Sequence, residues 1–214
     1  MSGSFLLSYL AYRLWPSYQK SKNPVTKNFA YVGFFLALSL FIFGLSCLIF
    51  SQNYRLLKIG SQFALIPFFI GWAFGLRAFF YSKLEQIPPD FAFLVAAFFG
   101  SIILFLQIRY AGYPRVTHGI TEWNLHPTVF LLFTLIVLAL VIPLTITFIH
   151  SGLKNPEIRT RSFTMATGFF LAGIGTILHS SNLGWLMVAF GSIIIFFGFI
   201  SVAFAFLFTK PSVE

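Results

Sequence analysis

Charge is what this sequence lacks most. Only 9% of its 214 residues are charged and five are acids, where an average soluble domain has about 25% charged residues. No Asp or Glu falls in the middle of an apolar segment, which disfavours ion-coupled transporters and proton pumps, because those keep ionisable groups inside the membrane. Arg77 is the only charge well inside a segment, and it lies close enough to the segment's end to snorkel. The last apolar segment has no lysine for a retinal Schiff base; Lys210 lies beyond it. A single cysteine, Cys47, allows neither an internal disulfide nor a thiolate metal cluster, and inside an apolar run it reads as a structural thiol. No cleavable signal peptide is expected, since the first apolar run leads into Arg13, Trp15 and Pro16 instead of small residues.

What remains is apolar. Hydrophobic residues make up 58% of the chain, the mean hydropathy is +0.88, and 31 residues are phenylalanine. The phenylalanines read as lipid-facing and inter-helix filler. A spanning helix needs about 20 mostly apolar residues, and six segments qualify: 29–50, 61–81, 91–110, 127–150, 162–180 and 182–208. The opening run 5–14 is about half that length, with Arg13 able to snorkel and Trp15 and Tyr18 suited to an interface. Counted as a short first span it makes seven; as an interfacial helix it leaves six. The expected fold is therefore an all-α, polytopic transmembrane bundle forming one domain over residues 1–214, with no soluble output domain.

The net charge of +9 does not point to nucleic acid, because the basic residues stand at segment ends and form no single patch. Alternating the seven spans places Arg13, Lys20, Lys22, Lys27, Arg77, Lys83, Lys154, Arg159, Arg161 and Lys210 on one side. Only Arg55, Lys58, Arg109 and Arg115 remain on the other. The richer side is expected to be cytoplasmic, with the N-terminus outside and the C-terminus inside a prokaryotic cytoplasmic membrane.

Local signals refine the segments. Pro88-Pro89-Asp90 and Pro127 mark helix starts, and Ser162 is a candidate N-cap. Pro143 is expected to kink its helix, with Thr145 and Thr147 near the freed carbonyl. Gly184, Gly191, Gly198 and Ala205 recur every seven residues, and Gly168 and Ala172 stand four apart on the preceding segment. Small residues in such stripes let helices approach closely in lipid, so the last two helices are expected to pair antiparallel. Gln62, Gln107, Ser101, Thr134, Thr176 and Ser192 supply inter-helix hydrogen bonds or contacts to a small ligand.

The longest break in the apolar pattern is 109–127, RYAGYPRVTHGITEWNLHP, with two of the four histidines. His118, Glu122 and His126 stand at i, i+4 and i+8, one face if the stretch is helical, and His179 is expected on the same side of the membrane. Together they are candidate ligands for zinc or copper, although Gly112, Pro114 and Gly119 oppose a helix. The alternative is that Trp123 anchors the loop among headgroups while His126 caps the next helix. A bis-histidine haem is excluded by placement, because His150 and His179 fall at opposite ends of their spans.

The chain resembles the seven-helix membrane sensor regions that precede bacterial and archaeal histidine kinases. The resemblance rests on a short first span ending AYRLW, a basic link KSKNPVTKNFAY, an outer loop GITEWNLHP and a basic turn RTRSF. It implies a receptor-like bundle that binds a signal and passes its state to a cytoplasmic output domain. This chain departs from that pattern in showing no output domain, so the expected recipient is a partner protein or a second copy. The expectation is a non-enzymatic sensor-like or ligand-binding membrane protein needing no cofactor. The alternatives are a small membrane enzyme using His118, Glu122, His126 and His179 on a metal, and a small-solute carrier or channel.

Overall fold

Every long apolar run folds as an α-helix, the only open-ended structure whose backbone groups are satisfied without water. The computed structural model describes residues 2–84 and 86–207. Seven α-helices lie among them: α1 (Ser2–Ser21), α2 (Pro24–Phe50), α3 (Tyr54–Lys83), α4 (Phe91–Tyr110), α5 (Pro127–Lys154), α6 (Arg159–His179) and α7 (Trp185–Leu207). Between α4 and α5 stand two short strands, β1 (Arg115–Thr117) and β2 (Ile120–Glu122), and one 3-10 turn (Pro156–Ile158) precedes α6. Six helices, α2 to α7, are long and apolar enough to cross a membrane. The all-α membrane bundle is thus observed. Phe208 and Lys210, assigned above to the end of the last span and beyond it, lie outside the described residues.

Side-chain sizes are sorted as in lipid-embedded proteins. Many large apolar groups face outward, with Leu48 71% and Phe105 64% exposed, while small residues such as Ala30 (3%) and Ala92 (0%) are buried in the seams beside a few large ones such as Leu57 and Trp72. Without a hydrophobic driving force between helices, close packing over small residues holds a bundle together.

Packing divides the chain into two compact units. The first holds α1 to α4 with Trp123–Val129; the second holds Thr117–Glu122 and α5 from Phe130 through α7.

In the first unit, α1 runs through Arg13, Trp15 and Pro16 to Ser21 and so is twice the length expected for the opening segment. The basic link expected there is consequently helix on both sides of a two-residue turn. Lys22, at φ 54°, closes α1 by donating its N–H to the Tyr18 carbonyl at 2.7 Å. Asn23 caps α2, its Oδ1 accepting from the Val25 N–H at 2.8 Å, with Pro24 in the first turn. Buried hydroxyls tie the helices together: Ser4 Oγ donates to the Ala37 carbonyl at 2.8 Å, and Ser39 Oγ to that of Ala64 at 2.7 Å. At the α3–α4 end, Asp90 makes no side-chain cap to α4. It pairs instead with Arg77 at 2.8 Å, whose guanidinium also lies 5.6 Å from the rings of both Tyr81 and Phe93.

In the second unit, α6 and α7 pack as the expected close pair. A Cβ built on Gly168 would stand 2.9 Å from the Gly198 carbonyl oxygen, and one on Gly198 2.8 Å from that of Gly168. Gly175 and Gly191 oppose each other in the same way at 2.8 and 2.7 Å, and Ala172 meets Gly198. Ala205 is fully buried. Gly184 is not in this seam. It precedes α7 with φ 96°, and a Cβ there would meet nothing within 4 Å, so it serves the turn. Ser162 does not cap α6 either, because the helix begins earlier, at Arg159, leaving Ser162 buried inside it against Gly152. The helix α5 continues through Pro143, and the hydroxyl of Thr145 has no hydrogen-bond partner among the described residues.

Candidate functional site

The segment between α4 and α5 is a hairpin, not a helix. His118 (φ 52°) and Gly119 (φ 75°) form the two-residue turn between β1 and β2. Positive φ at both positions is what a tight hairpin of this twist requires, and glycine adopts it without a steric cost. The i, i+4, i+8 alignment of His118, Glu122 and His126 therefore does not form. His118 stands at the turn, with its ring 4.9 Å from that of Trp185, while Glu122 ends β2. His179 ends α6, and its Nδ1 lies 3.0 Å from Ser192 Oγ. Among the described residues, no three His, Cys, Asp or Glu side chains are grouped to hold a metal ion.

The ends of this segment clamp onto the first unit. Lys58 Nζ donates to the Ala111 carbonyl at 2.7 Å and lies 5.5 Å from the Tyr113 ring. The Gly112 N–H donates to the Asn124 carbonyl at 3.2 Å. Trp123 is not a headgroup anchor. It is only 7% exposed, with its ring 4.2 Å from that of Phe43 on α2. His126 does cap α5: its Nδ1 accepts from the Thr128 N–H at 3.3 Å, the first free amide after Pro127. His126→Ala is expected to cost about 1 kcal/mol of stability, as for other lost N-caps. His126→Asn, which keeps an acceptor, should restore most of it; thermal melts of the purified variants check both.

A groove lies elsewhere, between α3 and α4 in the first unit. Leu65, Ile66, Phe69, Ile70 and Ala73 face Phe93, Ala96, Ala97, Gly100, Ser101 and Leu104 across an open-sided groove of about 350 Å³. The groove exists because α4 presents small residues at helical spacing. Ala96 and Gly100 lie buried in the seam, and a Cβ on Gly100 would stand 3.0 Å from the Phe69 ring. Ala97 and Ser101 line the same depression and are exposed. The only side-chain polar atom in the lining is the Ser101 hydroxyl, and no lining residue is titratable.

No protein-family model, curated protein or solved structure matches this chain.

Ser101 was among the polar residues singled out in the sequence, but the groove around it was not. Its signal is the pair Ala96-Ala97 followed four residues later by Gly100-Ser101, on a helix otherwise rich in phenylalanine. The hairpin had a signal as well. VTHGIT alternates around a His-Gly pair, which is a strand–turn–strand pattern.

Proposed function

We propose that this protein is a non-enzymatic integral membrane binding protein of a sensor-like kind, whose ligand is apolar and occupies the α3–α4 groove. The groove's size and lining carry the reading. Its 350 Å³ falls within the range of small-molecule pockets, roughly 300–1,000 Å³, and its walls are aliphatic, aromatic and glycine apart from one hydroxyl. Such walls recognise hydrocarbon, with Ser101 left to orient one polar group. A lining without an acid, a base or a nucleophile stronger than a serine hydroxyl favours binding over catalysis. Transmission to a partner protein or a second copy completes the reading, in place of the attached output domain that the sensor regions it resembles use. A prokaryotic cytoplasmic membrane is the proposed location, with the α1–α2 turn on the cytoplasmic side, supported by the asymmetry of the basic residues.

A photoactivatable medium-chain fatty acyl probe tests this on the full chain in detergent. Labelling is expected to saturate, to be competed by unlabelled probe and to map to α3 and α4. Ala97→Phe adds a ring at an exposed wall position without touching the buried seam, and should lower labelling about tenfold, as filling a preformed apolar site does. Non-saturable labelling spread over all outward faces, unchanged by Ala97→Phe, would refute the proposal.

A further inference from the structure

The turn between α1 and α2 brings two ammonium groups to one aromatic ring, and neither is in an ion pair among the described residues. Lys22 Nζ lies 5.8 Å and Lys27 Nζ 5.5 Å from the centroid of the same ring, that of Tyr18, and Lys27 is also 6.0 Å from the Tyr31 ring. No acid precedes Glu85 in the chain. The one ion pair seen among the described residues engages Asp90 with Arg77. The ring faces attract the two cations but do not neutralise them.

The backbone adds to the same field. Lys27 sits near the start of α2, where the helix dipole favours anions and opposes cations, and the first turn of α2 has no acid. The geometry is held by short links, since the Lys22 N–H closes α1 on Tyr18 and Asn23 caps α2. Two like charges beside a helix N-terminus, with no carboxylate paired to them among the described residues, together describe a site for an anion.

We propose that this turn binds the phosphate of an anionic phospholipid, with Lys22 and Lys27 as its charged ligands. A lipid fits better than a free anion because of what surrounds the lysines. Trp15 lies 5.5 Å from Tyr18 and 5.8 Å from Tyr31, centroid to centroid, forming the amphipathic aromatic cluster typical of headgroup level. Along α2, Phe34 (53% exposed) and Leu38 (38%) continue outward-facing apolar surface for acyl chains. Basic clusters at a membrane edge select anionic lipids in this way. The site is separate from the α3–α4 groove and does not rest on an apolar ligand there.

The test uses the full chain in a neutral detergent with equal phosphatidylglycerol and phosphatidylcholine added, and reads retained lipid by native mass spectrometry. Wild type should retain phosphatidylglycerol roughly tenfold over phosphatidylcholine, and Lys22→Gln/Lys27→Gln should bring the ratio close to one. Lys22→Arg/Lys27→Arg should keep the preference. Arg55→Gln/Lys154→Gln, which removes the same charge elsewhere, should keep it too. Millimolar inorganic phosphate should neither displace the lipid nor raise the melting temperature. Persistence of the preference in the glutamine variant would overturn the proposal. An equal loss in the Arg55/Lys154 variant would reduce it to net charge, and displacement by phosphate would overturn the assignment to a lipid.

Discussion

Gly191→Leu is expected to separate α6 from α7 and to lower the stability of the second unit by about 3 kcal/mol or more, the upper end of overpacking costs. The groups in the way are backbone. A Cβ on Gly191 would meet the Gly175 carbonyl oxygen at 2.7 Å and the His179 Cα at 2.9 Å. Flexible side chains can yield a few tenths of an ångström, but two helix backbones move only if the whole seam opens. The reciprocal contacts of Gly168 with Gly198 would then be lost as well, so the cost is not confined to one residue. Gly184→Ala is the informative comparison. Its Cβ would meet nothing, so its cost is only that of forcing an L-residue to φ 96°, about 1–2 kcal/mol. Hydrogen exchange of the α6 and α7 amides, with thermal melts, separates the two cases. Wild-type protection in Gly191→Leu would show that the seam is not held by close backbone approach.

That seam was legible in the sequence because it depends on one-dimensional spacing. A seven-residue repeat of Gly191, Gly198 and Ala205 marks a stripe wherever the helix runs, and Gly168 and Ala172 mark its complement. The stripe misleads only at Gly184, where the helix has not yet begun and glycine is needed for its backbone instead. The bounds of α4 were equally plain, with proline and Asp90 on one side and Ala-Gly on the other. The opening helix looks short in the sequence because Arg13 and Pro16 interrupt its hydropathy, while hydrogen bonding carries the helix on to Ser21. In the central segment periodicity alone is ambiguous. The spacing of His118, Glu122 and His126 has meaning only on a helix, and a turn at His118-Gly119 cancels it. The α3–α4 groove was hidden for a different reason. Small residues on α4 can be read from the chain, but whether they face a bulky or a hollow part of α3 depends on how the two helices are rotated about their axes. Conversely, the lysines of the α1–α2 turn were visible as charge, yet their convergence on Tyr18 follows from a two-residue link that looked like a longer loop.

Trp123→Ala should have the second large effect, and the sign of its companion variant sharpens the argument. Removing a buried tryptophan typically costs about 3–5 kcal/mol through lost contact and the cavity left behind. Here one term offsets part of that cost. The Trp123 Nε1–H is buried with no hydrogen-bond partner among the described residues, a penalty of about 1–3 kcal/mol that truncation relieves. The midpoints of these two terms differ by about 2 kcal/mol, which is the expected net loss. Trp123→Phe keeps a ring against Phe43 and removes the orphaned donor, so it should be close to neutral or mildly stabilising. The single thiol gives a local readout, because Cys47 is half-buried on α2, one turn beyond Phe43. Its labelling by a maleimide should quicken in Trp123→Ala and stay near the wild-type rate in Trp123→Phe. If the alanine variant labels and melts like wild type, Trp123 is not what holds this segment on α2. The Lys58–Ala111 and Gly112–Asn124 hydrogen bonds would then be its main attachments.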